Sequence, residues 1–303
     1  MNRLKKYETL KMIVEYLIAG VLIAMCLAVS FYAKWGYHQI DESKFKAYKV
    51  VMLIGTPVVL MAGALYKNAK KDISVTDICV LGYLMFSILS IVSGGFYKDA
   101  MWGSQGWHMG FLTQLSFVLI YLMLSRFGGR YREVLAVFCG ASLIVLLIGV
   151  LHRLMIDPVG FYKGLLGSQM AQFLSTIGQA SWYGGYLAVA LPIGISIFLF
   201  AKKSSQLVLG GVYTAIGFAS LVTQNSDSAY FALFGFMLIF FCICIERRET
   251  LNRFVIVCTL FFLMSKVMHF LLKLRPNPAL EYDFITSLVL DSAVTWVLLT
   301  GCL

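Results

Sequence analysis

Val134-Leu-Ala-Val-Phe-Cys-Gly-Ala-Ser-Leu-Ile-Val-Leu-Leu-Ile-Gly-Val-Leu151 runs for eighteen residues without a charge. Wound as an α-helix it is about 27 Å long, close to the ~30 Å hydrocarbon layer of a bilayer. Arg130 and Arg132 precede it, and His152 and Arg153 follow it. An uncharged run of this length with cationic flanks reads as a membrane crossing.

The rest of the chain follows the same pattern. Of 303 residues 60% are apolar and only 13% charged, about half the charged share of a soluble domain. Runs of similar character lie at 12–33, 50–66, 78–93, 107–124, 134–151, 182–201, 206–223, 229–245, 254–272 and 284–303. The expected fold is therefore an all-α polytopic membrane bundle of about ten transmembrane helices in a single integral membrane domain spanning 1–303. Arg3, Lys5 and Lys6 before the first run imitate a signal peptide, but the run is long and more spans follow, so it reads as a retained first span.

The formal net charge is +10, and the cations are scattered in short clusters between apolar runs. Such clusters face anionic headgroups; no nucleic acid is expected as a partner, whereas membrane lipids are. Seven cysteines all fall inside apolar stretches, without disulfide or zinc spacing. With the N-terminus cytoplasmic, the inside segments hold fifteen of the 25 Lys and Arg residues, including Lys67, Lys70, Lys71, Arg126, Arg247 and Arg248. The first outer connection, with Lys34, Lys44, Lys46 and Lys49, runs against this bias.

That orientation places two unusual stretches outside. In the long connection 155–181, Leu166, Met170, Phe173, Leu174 and Ile177 recur at helical spacing, which predicts a short interfacial helix near 166–177. The turn Thr223-Gln-Asn-Ser-Asp-Ser228 joins two apolar helices through a polar, acidic link.

Candidate ligand-binding residues cluster at the same side. Gln179, Trp182 and Tyr183 enter a span loosened by Gly184, Gly185, Pro192 and Gly194. The two aromatics suit the interface belt, and they also suit stacking on a sugar. Ser226, Asp227 and Ser228 suit a helix cap or a polar cavity wall. Lys266, His269 and Lys273, followed by Arg275, make one helix face cationic. Snorkelling accounts for much of this, while an anionic headgroup or pyrophosphate site accounts for the deep Lys266. Asp291 falls inside the last run, where a carboxylate needs a cavity or a partner, unless the run is re-entrant. No motif of a zinc protease, serine hydrolase or P-loop enzyme occurs.

Phe173-Leu-Ser-Thr-Ile-Gly-Gln-Ala-Ser-Trp-Tyr-Gly-Gly-Tyr-Leu-Ala-Val-Ala-Leu-Pro192 resembles the O-antigen ligase family, in which a polar entry leads to a small-residue Tyr-Leu-Ala run ending in Leu-Pro. Val222-Thr-Gln-Asn-Ser-Asp-Ser-Ala-Tyr-Phe-Ala-Leu233 is similar to the family's next signature, commonly Thr-x-Ser-Arg before small and apolar residues. The resemblance implies a polysaccharide-assembly transferase of the bacterial cytoplasmic membrane, ligase or polymerase, moving glycan from an undecaprenyl-pyrophosphate carrier without metal or cofactor. It also implies arginines on the pyrophosphate and a histidine base in a large late outer loop. Two departures stand out. Asp227 occupies the place of the family's arginine, and the large loop is absent before the chain stops at Thr300-Gly-Cys-Leu303. An ending in mid-hydrophobe, with no anchoring flank, is what a truncated copy short of its catalytic portion would show. Two other readings stay open: a transporter or lipid-linked-sugar flippase, and a polyprenyl-phosphate-sugar glycosyltransferase with Asp41-Glu42 as its acidic pair.

Overall fold

The computed structural model describes residues 2–65, 73–104 and 106–302. Lys67, Lys70, Lys71, the side chains of Arg3 and Lys5, and the last residues of the runs 50–66 and 284–303 lie outside the described residues. The chain is an all-α polytopic bundle. Eight of its helices are long and apolar enough to cross a membrane, or up to nine if a bent pair counts as one span. It is a multi-pass membrane protein.

In order, the helices are Asn2–Phe31 (α1), Ile40–Leu65 (α2), Val75–Gly94 (α3), Tyr97–Trp102 (α4), Phe111–Leu122 (α5), Tyr131–Arg153 (α6) and Gly167–Gln172 (α7). The two-residue strands Phe173–Leu174 (β1) and Gly178–Gln179 (β2) pair antiparallel. Then come Ala180–Leu199 (α8), Ser204–Thr223 (α9), Asp227–Cys244 (α10), Arg248–Leu274 (α11), Phe284–Asp291 (α12) and Ala293–Cys302 (α13). Contacts group these into two compact units, Met1–Trp35 with Gln39–Phe138, and Gly36–His38 with Cys139–Leu303.

In the first unit Val14, Ile18, Val21 and Leu22 form one face of α1 and pack on Val58, Val59 and Ala62 of α2 and on Met123. A Cβ at Gly55 would stand 2.9 Å from both Met123 and Val21, so the glycine sets how closely these segments approach. Lipid is as apolar as leucine, so such close packing, rather than the hydrophobic effect, holds helices together in a bilayer. The Ser74 hydroxyl caps α3 at Asp77, whose carboxylate accepts from Ser74 N–H in return and also binds Tyr121 and Arg126.

The second unit is built on α8 and α9. Leu187, Leu191 and Ile195 recur every four residues and are buried. Gly194 lies against the Tyr213 ring, Gly217 against Leu191 and Gly210 against the backbone at Phe198. A second cluster joins Ala219 and Val222 of α9 to Met268 and Leu272 of α11 and to Leu290 of α12.

Three expected elements take a different form. The run 107–124 becomes α5 extended by one wide turn, Met123–Phe127. Its start is delayed because Gly103, at φ +83°, brings its backbone against that of Met109 and Gly110, a contact any Cβ at Gly103 would block. The helix near 166–177 is real only as α7. Beyond Gln172 the chain turns into the β1–β2 hairpin, with Ser175 at φ +57°, which no helix continues through. The last run, 284–303, is broken at Ser292, whose extended backbone bends α12 and α13 by 60°.

Candidate functional site

In the second unit the C-terminal end of α6, the starts of α8 and α10 and the C-terminal ends of α9 and α11 lie together. Arg153 occupies the centre and is 2% exposed. Its Nε donates to Thr223 O at 2.5 Å, one terminal nitrogen to Ala171 O at 3.0 Å and the other to Gln224 O at 3.3 Å. Thr223 ends α9 and Gln224 is its C-cap, so the cation sits on the negative end of that helix. Among the described residues no carboxylate lies within ion-pair distance of it. A planar fork with five donors can reach three carbonyls from two segments in fixed directions, where a lysine offers three donors from a single point.

His152 is equally buried and begins a second chain of contacts. Its Nε2 stands 3.2 Å from Asp157 Oδ1 and its Nδ1 stands 2.9 Å from the Tyr37 hydroxyl. Tyr37 also donates to Ser175 O at 2.6 Å, and Tyr162 donates to His152 O and Phe173 O. An ionised carboxylate only accepts, so Nε2 carries the proton toward Asp157. On a neutral imidazole, the single Tyr37 proton then faces two acceptors, Nδ1 and Ser175 O. Burial pushes the Asp157 carboxyl upward. The backbone N–H groups of Tyr162, Phe161 and Gly160, with His152 beside them, outweigh burial and leave Asp157 below the usual carboxylate range. Burial raises both the Tyr37 and the Tyr162 phenols, which stay neutral donors.

These bonds pull the hairpin inward. Leu174, Ser175, Thr176 and Ile177 are all buried, and Ser175 Oγ donates to Val145 O inside α6 at 2.5 Å. Tyr183 is fully buried against Gly149, its hydroxyl 2.6 Å from Ser220 Oγ, which donates to Leu146 O. It is thus a strut between α6, α8 and α9, with no face left for a sugar. Trp182 and Gln179 are exposed.

The polar turn 223–228 is a clasp. Asn225 donates to Glu281 O at 2.7 Å and accepts from Asp283 N–H at 2.8 Å. Asp227 accepts from Ile285 N–H at 3.1 Å, so it caps the start of α12 across space rather than its own helix. Ser226 and Ser228 bond to each other at 2.9 Å.

The cationic face of α11 divides. Lys266 is buried and donates to Leu290 O and Ser292 O, each at 3.0 Å, taking up carbonyls at the α12–α13 break. His269 Nδ1 stands 3.1 Å from Asp291 Oδ1, which gives that carboxylate a partner. Lys273 and Arg275 are exposed at the helix end. In the first unit, Glu42 lies 3.1 Å from His108 Nε2 and 3.9 Å from Lys46 Nζ. Among the described residues no three His, Cys, Asp or Glu side chains converge to ligate a metal.

The site therefore has a rigid buried layer, Arg153, His152, Tyr183 and Lys266, with Gln179, Trp182, Ser228, Lys273 and Arg275 exposed at the helix ends. Sequence reasoning gave His152 and Arg153 little weight as a flanking pair and passed over Tyr37, Asp157 and Tyr162. Their one signal is a histidine and an arginine placed directly after eighteen uncharged residues. Comparison with protein-family models, with curated proteins and with solved structures finds no match to this chain.

Proposed function

We propose that the chain is an O-antigen-ligase-like or polymerase-like glycan transferase of the bacterial cytoplasmic membrane, acting on undecaprenyl-pyrophosphate-linked glycan. One observation carries the reading: the two stretches that resemble family signatures, 173–192 and 222–233, meet in space. Gly184 lies against Gln224, Ser226 and Ala229; just beside the two stretches, Tyr183 bonds Ser220 and Arg153 bridges Ala171 to Thr223 and Gln224. In this reading the acceptor hydroxyl replaces undecaprenyl pyrophosphate at the anomeric carbon. Lys273 and Arg275, exposed at this end, meet the departing pyrophosphate, while Arg153 positions the two motifs without touching substrate. The test is the surface-glycan profile of a deletion strain, with and without this chain. A profile altered by deletion is expected, with restoration that weakens in a Lys273→Gln, Arg275→Gln double variant. A deletion that leaves the glycan unchanged overturns the reading.

A second reading, transport or flipping of the same lipid-linked sugar, is favoured by the α12–α13 break, since discontinuous helices mark transporter sites. Flux of labelled lipid-linked sugar in proteoliposomes, without glycan joining, distinguishes it from transfer.

A further inference from the structure

The first unit holds a cleft between α2 and α5 with a volume of about 410 Å³. Its walls are apolar: Leu53 on α2 faces Leu112, Leu115 and Leu119, which recur along one side of α5. Leu53 is 76% exposed, so the cleft opens sideways, toward the lipid. One rim is different. Lys49 stands a single helical turn before Leu53 on the same face, exposed, with its Nζ 4.7 Å from the Phe45 ring. His108 stacks on that ring at 4.2 Å and 6°, and the indole of Trp102 borders the opening. Glu42 faces His108 and Lys46. Among the described residues no carboxylate reaches Lys49 within ion-pair distance.

An unneutralised cation at the mouth of an apolar groove has the chemistry of an anionic lipid turned inside out. We propose that this cleft seats one phospholipid-class molecule with an anionic headgroup. Its phosphate lies at Lys49 and one acyl chain lies along Leu53, Leu115 and Leu119. The site accounts for an exposed cation within α2, one of the four lysines whose charges run against the expected orientation bias. It does not depend on the glycan-transfer reading, which concerns the second unit.

The test is native mass spectrometry of the full chain in detergent, titrated with phosphatidylglycerol, phosphatidylcholine or inorganic phosphate. Phosphatidylglycerol is expected to bind about fivefold more tightly than phosphatidylcholine, the contribution of one cation near a lipid surface. Lys49→Gln should erase that preference, Leu53→Trp should weaken both lipids, and Lys46→Gln should change neither. Equal binding of the two lipids by the native chain overturns the proposal, as does a preference that survives Lys49→Gln. Inorganic phosphate that competes fully at millimolar concentration would make this a free-phosphate site and overturn the lipid assignment. A Leu53→Cys chain that cross-links to itself in lipid vesicles would give the cleft to a second copy, with the same consequence.

Discussion

Arg153 and Lys266 are both cations buried in the second unit, and both hydrogen-bond to carbonyl oxygens rather than to carboxylates. The difference lies in what those carbonyls belong to. Arg153 gathers the end of an intact helix, α9, and a carbonyl of α7, so it ties together segments distant in sequence. Lys266 holds two carbonyls on either side of one bend. The first cation locks a junction and the second stabilises a break. Burying either charge is costly without such partners, so each marks a place where the backbone leaves oxygens unpaired.

The comparison can be broken by substitution. Arg153→Ala leaves three buried carbonyls without donors and should lower unfolding stability in detergent by about 3 kcal/mol or more. Arg153→Lys should recover only part of this, since an ammonium is a point charge rather than a planar fork. Lys266→Met should cost about 2 kcal/mol, and the effect should be local. A cysteine at Ser292 should become more reactive to a water-soluble thiol reagent while the unfolding midpoint moves less than for Arg153→Ala. If the two variants unfold alike, the distinction between lock and break fails.

Smaller effects sharpen the same contrast. Asn225→Ala removes both bonds to the 281–283 segment and should cost about 1 kcal/mol, loosening α12 while leaving the Arg153 junction intact; hydrogen exchange at Ile285 and Thr286 reads this. The smallest effect is that of pH. Asp157 is held below its ordinary range, so the native state binds fewer protons there than the unfolded chain. Its contribution is present above about pH 4 and is lost as pH falls through the lowered native value. Asp157→Asn should lower stability slightly at neutral pH, where the contribution is fully present, and flatten the profile below pH 4.

How much of this is legible in the sequence depends on whether the signal is local. The run Val134–Leu151 declares itself, because length and lack of charge are properties of the segment alone. Ser292 does not, because one serine in an apolar run has no period to disturb. Its only trace is Lys266 with Asp291, two charges in different spans whose meeting is set by packing. Tyr183 looks like an interface aromatic because it starts a helix, yet Gly149 on α6 leaves a hollow that draws the ring inward. Asp227 looks like a cap for its own helix and instead caps one 58 residues further on. Local rules identified the groups that needed partners and could not name partners brought by tertiary contact.

The bond from Arg153 to Thr223 also sets an order of events during synthesis. The two residues are 70 apart in the chain. At about 5–20 residues per second, Thr223 is made roughly 4–14 s after Arg153. For that interval the guanidinium has none of its α9 acceptors and must remain in water or among headgroups. Only when α8 and α9 have both entered the membrane can it be drawn in, and the β1–β2 hairpin can close beneath it. The junction is thus a checkpoint of assembly, whose acceptors exist only once three of the five long helices that meet there, α6, α8 and α9, have been made.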